Sequence, residues 1–200
     1  AETIKSILQS DGYAATTVER SDFVRTQYES RVGTTDVDDN GLGEWAAARK
    51  REDGDGCFAR ELAGLWNKDV RPEMVVSGIR SPAEIDALED VFGSGTVTTI
   101  ALWAFPEKRF NRKYDAFMDD DHEMYDTFME RNTRELDEWG CADLYLDESA
   151  TDFVVSNNND TVHLQRHLLI VVDSVYGTIL EGPIESPFKG KDINEFRNLL

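Results

Sequence analysis

Cysteine is nearly absent from this chain: Cys57 and Cys141 are the only 2 in 200 residues. Their spacing fits neither a disulfide framework nor a zinc ribbon, so a reducing compartment is the simple reading. Histidine is almost as scarce, at 3 residues. His163 and His167 share a helix face, but no cysteine or carboxylate partner is fixed near them in sequence, and no metal site is expected. No nucleophile flanked by glycines appears, and no GxGxxG, so the common signatures of acyl-transfer and dinucleotide chemistry are missing. Long apolar runs are missing too. Stretches such as residues 168–172 are far too short to cross a membrane. The start of the chain lacks the charged-then-apolar pattern of a secretory leader. A cytoplasmic protein with no membrane partner is therefore expected. Positive charge is the deepest shortage: 21 Lys and Arg stand against 40 Asp and Glu, a formal charge of -19. Phosphate backbones need a basic face, so nucleic acid is not an expected partner. Such an acidic shell repels itself at low salt and is tolerated where counter-ions screen it. The cations are mostly Arg and Asp exceeds Glu. We read this as adaptation to a salt-rich cytoplasm.

What is present is enough for a packed domain. The chain is 40% hydrophobic and 10% aromatic, well away from disorder. Ile4, Ile7 and Leu8 recur at helical spacing before Gly12, and Ala1 already lies inside that pattern. A domain seldom starts in mid-helix, which suggests a chain truncated at its N-terminus. Residues 13–18 are β-prone. Ser21 is placed to cap a helix carrying Phe23, Val24, Gln27 and Tyr28. Leu42, Trp45, Ala46 and Arg49 mark another helix, and Phe58, Leu62 and Leu65 the next. Residues 74–76, after Pro72, form a short apolar run that predicts a buried central strand. Ser81-Pro82-Ala83-Glu84 is a strong helix start, with Ser81 as cap, Pro82 as first helical residue and Glu84 as the return partner of a capping box. Gly93 ends that helix. Residues 96–104 predict a second buried strand and residues 152–155 a third. Pro106 opens a helix rich in cations, Asp119-Asp120-Asp121 breaks it, and a further helix runs from about His122 to Trp139. Residues 161–176 are helical by period. The tail from Gly177 on reads as an extension. Alternation of strand and helix predicts an α/β fold, with helices on both faces of a parallel sheet.

Three groups of cations stand where such a fold gathers ligands. Arg25 lies in the first turns of the helix after residues 13–18, where Arg and the helix N-terminus together can grip a phosphate. Arg80 follows Val75-Val76-Ser77-Gly78-Ile79, at the carboxyl end of a predicted central strand, outside which ligands bind in open α/β sheets. Lys108, Arg109, Arg112 and Lys113, with Arg131 and Arg134, form a basic region that is unusual in so acidic a chain. Phosphoryl transfer needs cations that close over the moving group. Each group also has a plainer reading, as a surface Arg, an Arg paired with an acid, or a salt-bridged helix pair.

Taken in order, several segments resemble the P-loop kinases of the adenylate-kinase and dephospho-CoA-kinase kind, and in particular an archaeal group of adenylate-kinase-like proteins. They are Ser21-Asp22-x-Val24-Arg25, then Ser77-Gly78-Ile79-Arg80-Ser81-Pro82-Ala83-Glu84, then Phe105-Pro106-Glu107-x-Arg109-Phe110. Arg131-x-x-Arg134-Glu135 with Trp139-Gly140 follows, and then Ala150-x-Asp152-Phe153-Val154-Val155-x-Asn157. The resemblance covers residues 1–160. It implies a three-layer fold with a parallel sheet, a helical lid over residues 106–140 and a C-terminal helix and extension over residues 161–200. It implies a nucleotide kinase that uses ATP and Mg2+ on a nucleoside monophosphate or a related acceptor such as dephospho-CoA. Asp22, Arg25 and Ser77 would bind the acceptor. Arg80, Arg109, Arg131 and Arg134 would be catalytic, with Arg112 beside Arg109 at the start of the lid. Asn157 would lie near the donor base. The family's Gly-rich phosphate loop is not in this sequence and would precede Ala1. The family usually carries Asp where Ser77 stands, so a nucleotide-binding or regulatory relative with impaired catalysis is the alternative. An unrelated α/β enzyme acting on small polar substrates is the third.

Overall fold

The computed structural model describes residues 1–66, 73–114, 122–138, 141–147 and 149–177. Pro72, the Asp119-Asp120-Asp121 break, the Trp139-Gly140 pair and the tail beyond Gly177 lie outside the described residues. The chain divides into two compact units, Ala1–Val97 and the part from Thr98 on. Each contains one pair of parallel strands, and the architecture is α/β.

In the first unit the order is α1 (Glu2–Ser10), β1 (Ala15–Glu19), α2 (Arg20–Val32), α3 (Asp39–Asp53), α4 (Cys57–Gly64), β2 (Glu73–Ser77) and α5 (Pro82–Phe92). β1 and β2 pair in parallel, from Ala15 opposite Glu73 to Glu19 opposite Ser77. The chain passes from β1 into α2 without a loop, so Glu19 is both the last strand residue and the N-cap. Ser21, the expected cap, therefore lies one residue inside the helix, and its hydroxyl donates to Glu19 Oε1 at 3.3 Å. α3 starts where the Asp38 carboxylate accepts the Gly41 N–H at 2.7 Å, an ordinary side-chain N-cap.

The core of this unit is aromatic and small. Val24, Leu42, Cys57 and Phe58 are buried together, with Tyr28 and Trp45 against them. Tyr28 meets Trp45 edge to face at 5.4 Å, a favoured aromatic geometry. A second cluster, Ala59, Ala63, Ala87 and Leu88, joins α4 to α5. Alanines there let the helices approach closely, and Gly56 lets them approach closer still. A Cβ on Gly56 would sit 2.6 Å from the Ala83 carbonyl and 2.6 Å from the Ala87 Cβ. Backbone cannot retreat cheaply, so Gly56→Ala should destabilise the fold by about 1–3 kcal/mol, as overpacking does. A denaturant midpoint equal to the native one would overturn this packing. Leu65, predicted on the buried face of the preceding helix, is instead 71% exposed, because α4 ends one residue earlier, at Gly64.

In the second unit the order is β3 (Ile100–Trp103), α6 (Pro106–Tyr114), α7 (His122–Glu138), α8 (Asp143–Leu146), β4 (Phe153–Ser156) and α9 (Thr161–Val175). β3 and β4 pair in parallel, from Ile100 opposite Phe153 to Trp103 opposite Ser156. The expected strand over residues 96–104 shrinks to 4 residues. Gly93 and Gly95 take positive φ ahead of it, and Thr99 is tied down where the pair begins. The Asp152 carboxylate accepts both the Thr99 N–H at 2.7 Å and its hydroxyl at 2.9 Å. Leu102 is 40% exposed, so β3 is only partly buried. α6 and α7 are joined through Phe110, whose ring lies 5.0 Å from Tyr125 and 5.5 Å from Phe128. α9 follows the predicted period. The Asp160 carboxylate accepts the His163 backbone N–H at 2.9 Å, and that bond holds its acid below the ordinary value. No described helix is long and apolar enough to cross a membrane.

Candidate functional site at the strand ends

The carboxyl end of the β1/β2 pair carries more chemistry than any other part of the first unit. Glu19 and Ser77 face each other in register, and the Ser77 hydroxyl donates to Glu19 Oε2 at 2.5 Å. The next residue, Gly78, has φ 84°, and a Cβ there would sit 2.5 Å from Glu19 Oε1. The left-handed backbone favours glycine there, and a larger residue would also push the Glu19 carboxylate aside. The turn then reaches Arg80 and the start of α5.

Beneath this turn lies a buried charge cluster. Glu84 is completely buried, at 0% exposure, in the first turn of α5. The Arg20 Nε lies 2.5 Å from its Oε1, and the Lys50 ammonium is 3.7 Å from the same oxygen. Its Oε2 accepts the Arg80 backbone N–H at 2.9 Å. A buried carboxylate is tolerable only when paired and hydrogen-bonded, and the N-terminal end of α5 adds a favourable dipole. The helix start is where expected, but neither bond of the predicted capping box forms. Ser81 is the N-cap with Pro82 at the helix start, but its side chain makes no capping bond, and Glu84 reaches past it to the N–H of Arg80. Arg20 in turn stacks on the aromatic core, its guanidinium 5.6 Å from the Phe58 ring centre.

The sequence-predicted residues fall into place unevenly. Arg80 and Ser77 share this turn, and Arg80 is half-buried. Arg25 is half-buried on α2 and donates to the Val37 carbonyl at 3.3 Å. Asp22 is exposed in the first turn of the same helix. Arg20, Lys50 and Glu84 were not legible as a group. One signal existed: Glu84 lies four residues before Leu88, on the buried stripe of α5, where an acid demands an explanation. Cys57 is also buried, which pushes its thiol above the ordinary value and leaves it unreactive.

The second unit repeats the theme at the carboxyl end of β3/β4. The Asn157 N–H extends the ladder to the Trp103 carbonyl at 2.7 Å. The Asn158 side chain accepts the Phe105 N–H at 2.7 Å. Arg112 on α6 forks across the loop, donating to the carbonyls of Asn157 at 2.6 Å and Asn159 at 2.8 Å. Arg109 donates to the buried Asn132 side chain on α7 and lies 5.6 Å from the Phe128 ring centre. Arg131 and Arg134 are exposed on α7. The basic region thus divides by task. Arg112 closes a strand-end loop, Arg109 ties α6 to α7, and Arg131 and Arg134 face solvent.

No protein-family model matches the chain. It is similar to several archaeal proteins of one family. A UPF0200 protein of Pyrobaculum aerophilum is 30% identical over 162 residues, covering 80% of this chain and 82% of that protein. One of Pyrococcus furiosus is 24% identical over 138 residues, covering 68% of this chain and 72% of that protein. One of Methanopyrus kandleri is 36% identical over a shorter stretch of 81 residues, 38% of this chain and 41% of that protein.

Proposed function

The chain belongs to the UPF0200 family, and from that premise we propose that it is a nucleotide kinase, moving the terminal phosphoryl group of ATP to a nucleoside monophosphate or a related acceptor such as dephospho-CoA. The observation that carries this is the turn after β2. A parallel strand ends in Ser77, followed by a positive-φ glycine, Ile79 and Arg80, directly before the N-terminal end of α5. Strand carboxyl ends are where open α/β folds hold ligands, and an Arg beside a helix N-terminus suits phosphate. On this reading Arg80 and Arg25 hold the acceptor phosphate, with Asp22 and Ser77 in the same region. Arg109, Arg131 and Arg134 serve the transferring phosphoryl group, and Asn157 the donor base. Positioning and charge neutralisation then do the catalytic work, with no covalent intermediate on the protein.

Magnesium fits the oxygen chemistry at the strand ends. It binds through one or two carboxylates alongside phosphate oxygens and water, and Glu19 and Ser77 offer a carboxylate and a hydroxyl there. Bound with ATP, it would neutralise charge on the phosphates.

A second reading is favoured by one observation. The hydroxyl of Ser77 is already engaged with Glu19, which suits a relative that binds nucleotide without turnover. One experiment separates the two. The full gene product is incubated with ATP and magnesium in molar potassium chloride, with nucleoside monophosphates and dephospho-CoA offered in turn. ADP that appears only with an acceptor, together with the phosphorylated acceptor by phosphorus NMR, is the expected result. Nucleotide binding without ADP formation establishes the second reading. No nucleotide binding at any salt concentration overturns both.

A further inference from the structure

Glu84 has no place in the chemistry just described, yet it is one of the most completely buried side chains in the first unit and the only fully buried acid among the described residues. A carboxylate sealed from water needs a reason, because an apolar pair of similar volume would serve stability as well or better. Its partners supply the reason. One oxygen holds Arg20, the first residue after β1; the other holds the backbone N–H of Arg80, in the turn after β2. The two strand ends, in register at Glu19 and Ser77, are thus tied a second time from below through a single side chain.

We infer that Glu84 is a positioning residue: it fixes the backbone of the Arg80 turn against the β1 end, and so sets where Arg80 meets the acceptor phosphate. The inference rests on the kinase reading above. Gly78 is the loose point that such a tie offsets. It brings no side chain to pack, while its neighbour Ile79 rests on the cluster of Ala59, Ala63, Ala87 and Leu88, and glycine loses more freedom on ordering than any other residue. Lys50 is a second cation on the same carboxylate, 3.7 Å from the oxygen that Arg20 also approaches. Arg20 rests on the Phe58 ring, so the carboxylate is referenced to the buried aromatic core.

The test must separate positioning from simple structural support. Glu84→Gln alone strands two cations, Arg20 and Lys50, opposite a neutral group and can unfold the protein. Two double variants remove Arg20, the closer and more buried cation, together with the acid, and leave only Lys50, whose side chain is 20% exposed. Arg20→Met with Glu84→Leu keeps the volume apolar and removes the acceptor for the Arg80 N–H. Arg20→Met with Glu84→Gln restores an oxygen acceptor at the same place. Binding of AMP to the full chain is measured by calorimetry in molar potassium chloride, with ATP as the control and the denaturation midpoint recorded for each protein. In the Leu pair we expect a midpoint close to native, AMP affinity about tenfold lower and ATP affinity unchanged, the loss of one backbone anchor's worth of order. The Gln pair should recover most of the AMP affinity. Native AMP affinity in a folded Leu pair overturns the inference and leaves the kinase reading standing. A Leu pair that does not fold, or two pairs that lose affinity for AMP and ATP alike, makes Glu84 structural and overturns it too. Native protein that binds no AMP overturns the kinase reading itself, and this inference with it.

Discussion

Arg80→Ala should lower acceptor-dependent turnover by about a hundredfold, ~2.7 kcal/mol of transition-state stabilisation, while the denaturation midpoint stays close to native. The two halves of this expectation come from different places. The activity loss follows from position: Arg80 lies between the carboxyl end of β2 and the N-terminus of α5, and a guanidinium there presents a fork that matches phosphate geometry. The unchanged stability follows from how the turn is held. The tie to Glu84 runs through the Arg80 backbone N–H, which alanine keeps, and a half-buried side chain is lost at a cost of about 1 kcal/mol. Arg80→Lys retains charge but not the fork, and should fall between, about tenfold down. Steady-state rates across a range of acceptor concentrations check all three proteins. Equal rates for native and Arg80→Ala would remove Arg80 from the site, and a collapse of the midpoint would make its role structural.

The elements that the sequence made legible are those in which local chemistry acts alone. Ser81-Pro82 starts α5 where expected, because proline at the first helical position needs no N–H and serine tolerates the extended backbone of a cap. The period of residues 161–176 becomes α9, since Leu168, Val171 and Val172 fall on one buried stripe. The alternation of strands and helices gave the α/β class for the same reason: period 2 and period 3.6 are local properties. What stayed hidden depended on partners far away in sequence. Arg20 looks like an ordinary residue at a strand-to-helix junction until Glu84, 64 positions on, is folded beneath it. Arg112 reads as one cation of a basic helix, yet its two nitrogens hold the carbonyls of Asn157 and Asn159. The limits of β3 depend on β4, because Asp152 clips Thr99 and pairing runs only from Ile100 to Trp103. The site residues were therefore legible as types in plausible places, while their contacts were not. The acidic cast of the composition is a separate matter: a formal net charge of -19 governs solubility and salt response, not topology.

Phe58→Ala should produce the largest loss of stability in the first unit, about 3–5 kcal/mol, as removal of a fully buried aromatic ring does. Phe58 has 0% exposure and touches two kinds of neighbour. On one side is the aromatic packing, with the Trp45 ring centre 5.7 Å away and Tyr28 beyond it. On the other is Arg20, whose guanidinium lies 5.6 Å from the ring centre. A desolvated cation over a ring is worth up to about 2 kcal/mol, so truncation removes packing and also the seat of a buried charge. Against a domain stability of about 5–15 kcal/mol that is a large fraction. Denaturation in molar potassium chloride measures it, with Phe58→Leu as the comparison: leucine keeps most of the volume, and its loss should stay near 1.5 kcal/mol or below. The same pair of variants probes function. If Arg20 is held by the ring and Glu84 by Arg20, then Phe58→Leu, still folded, loosens the chain of contacts leading to Arg80 and should weaken AMP binding several-fold at nearly native stability. Full AMP affinity in a folded Phe58→Leu would show that the Arg80 turn keeps its place without support from the aromatic core.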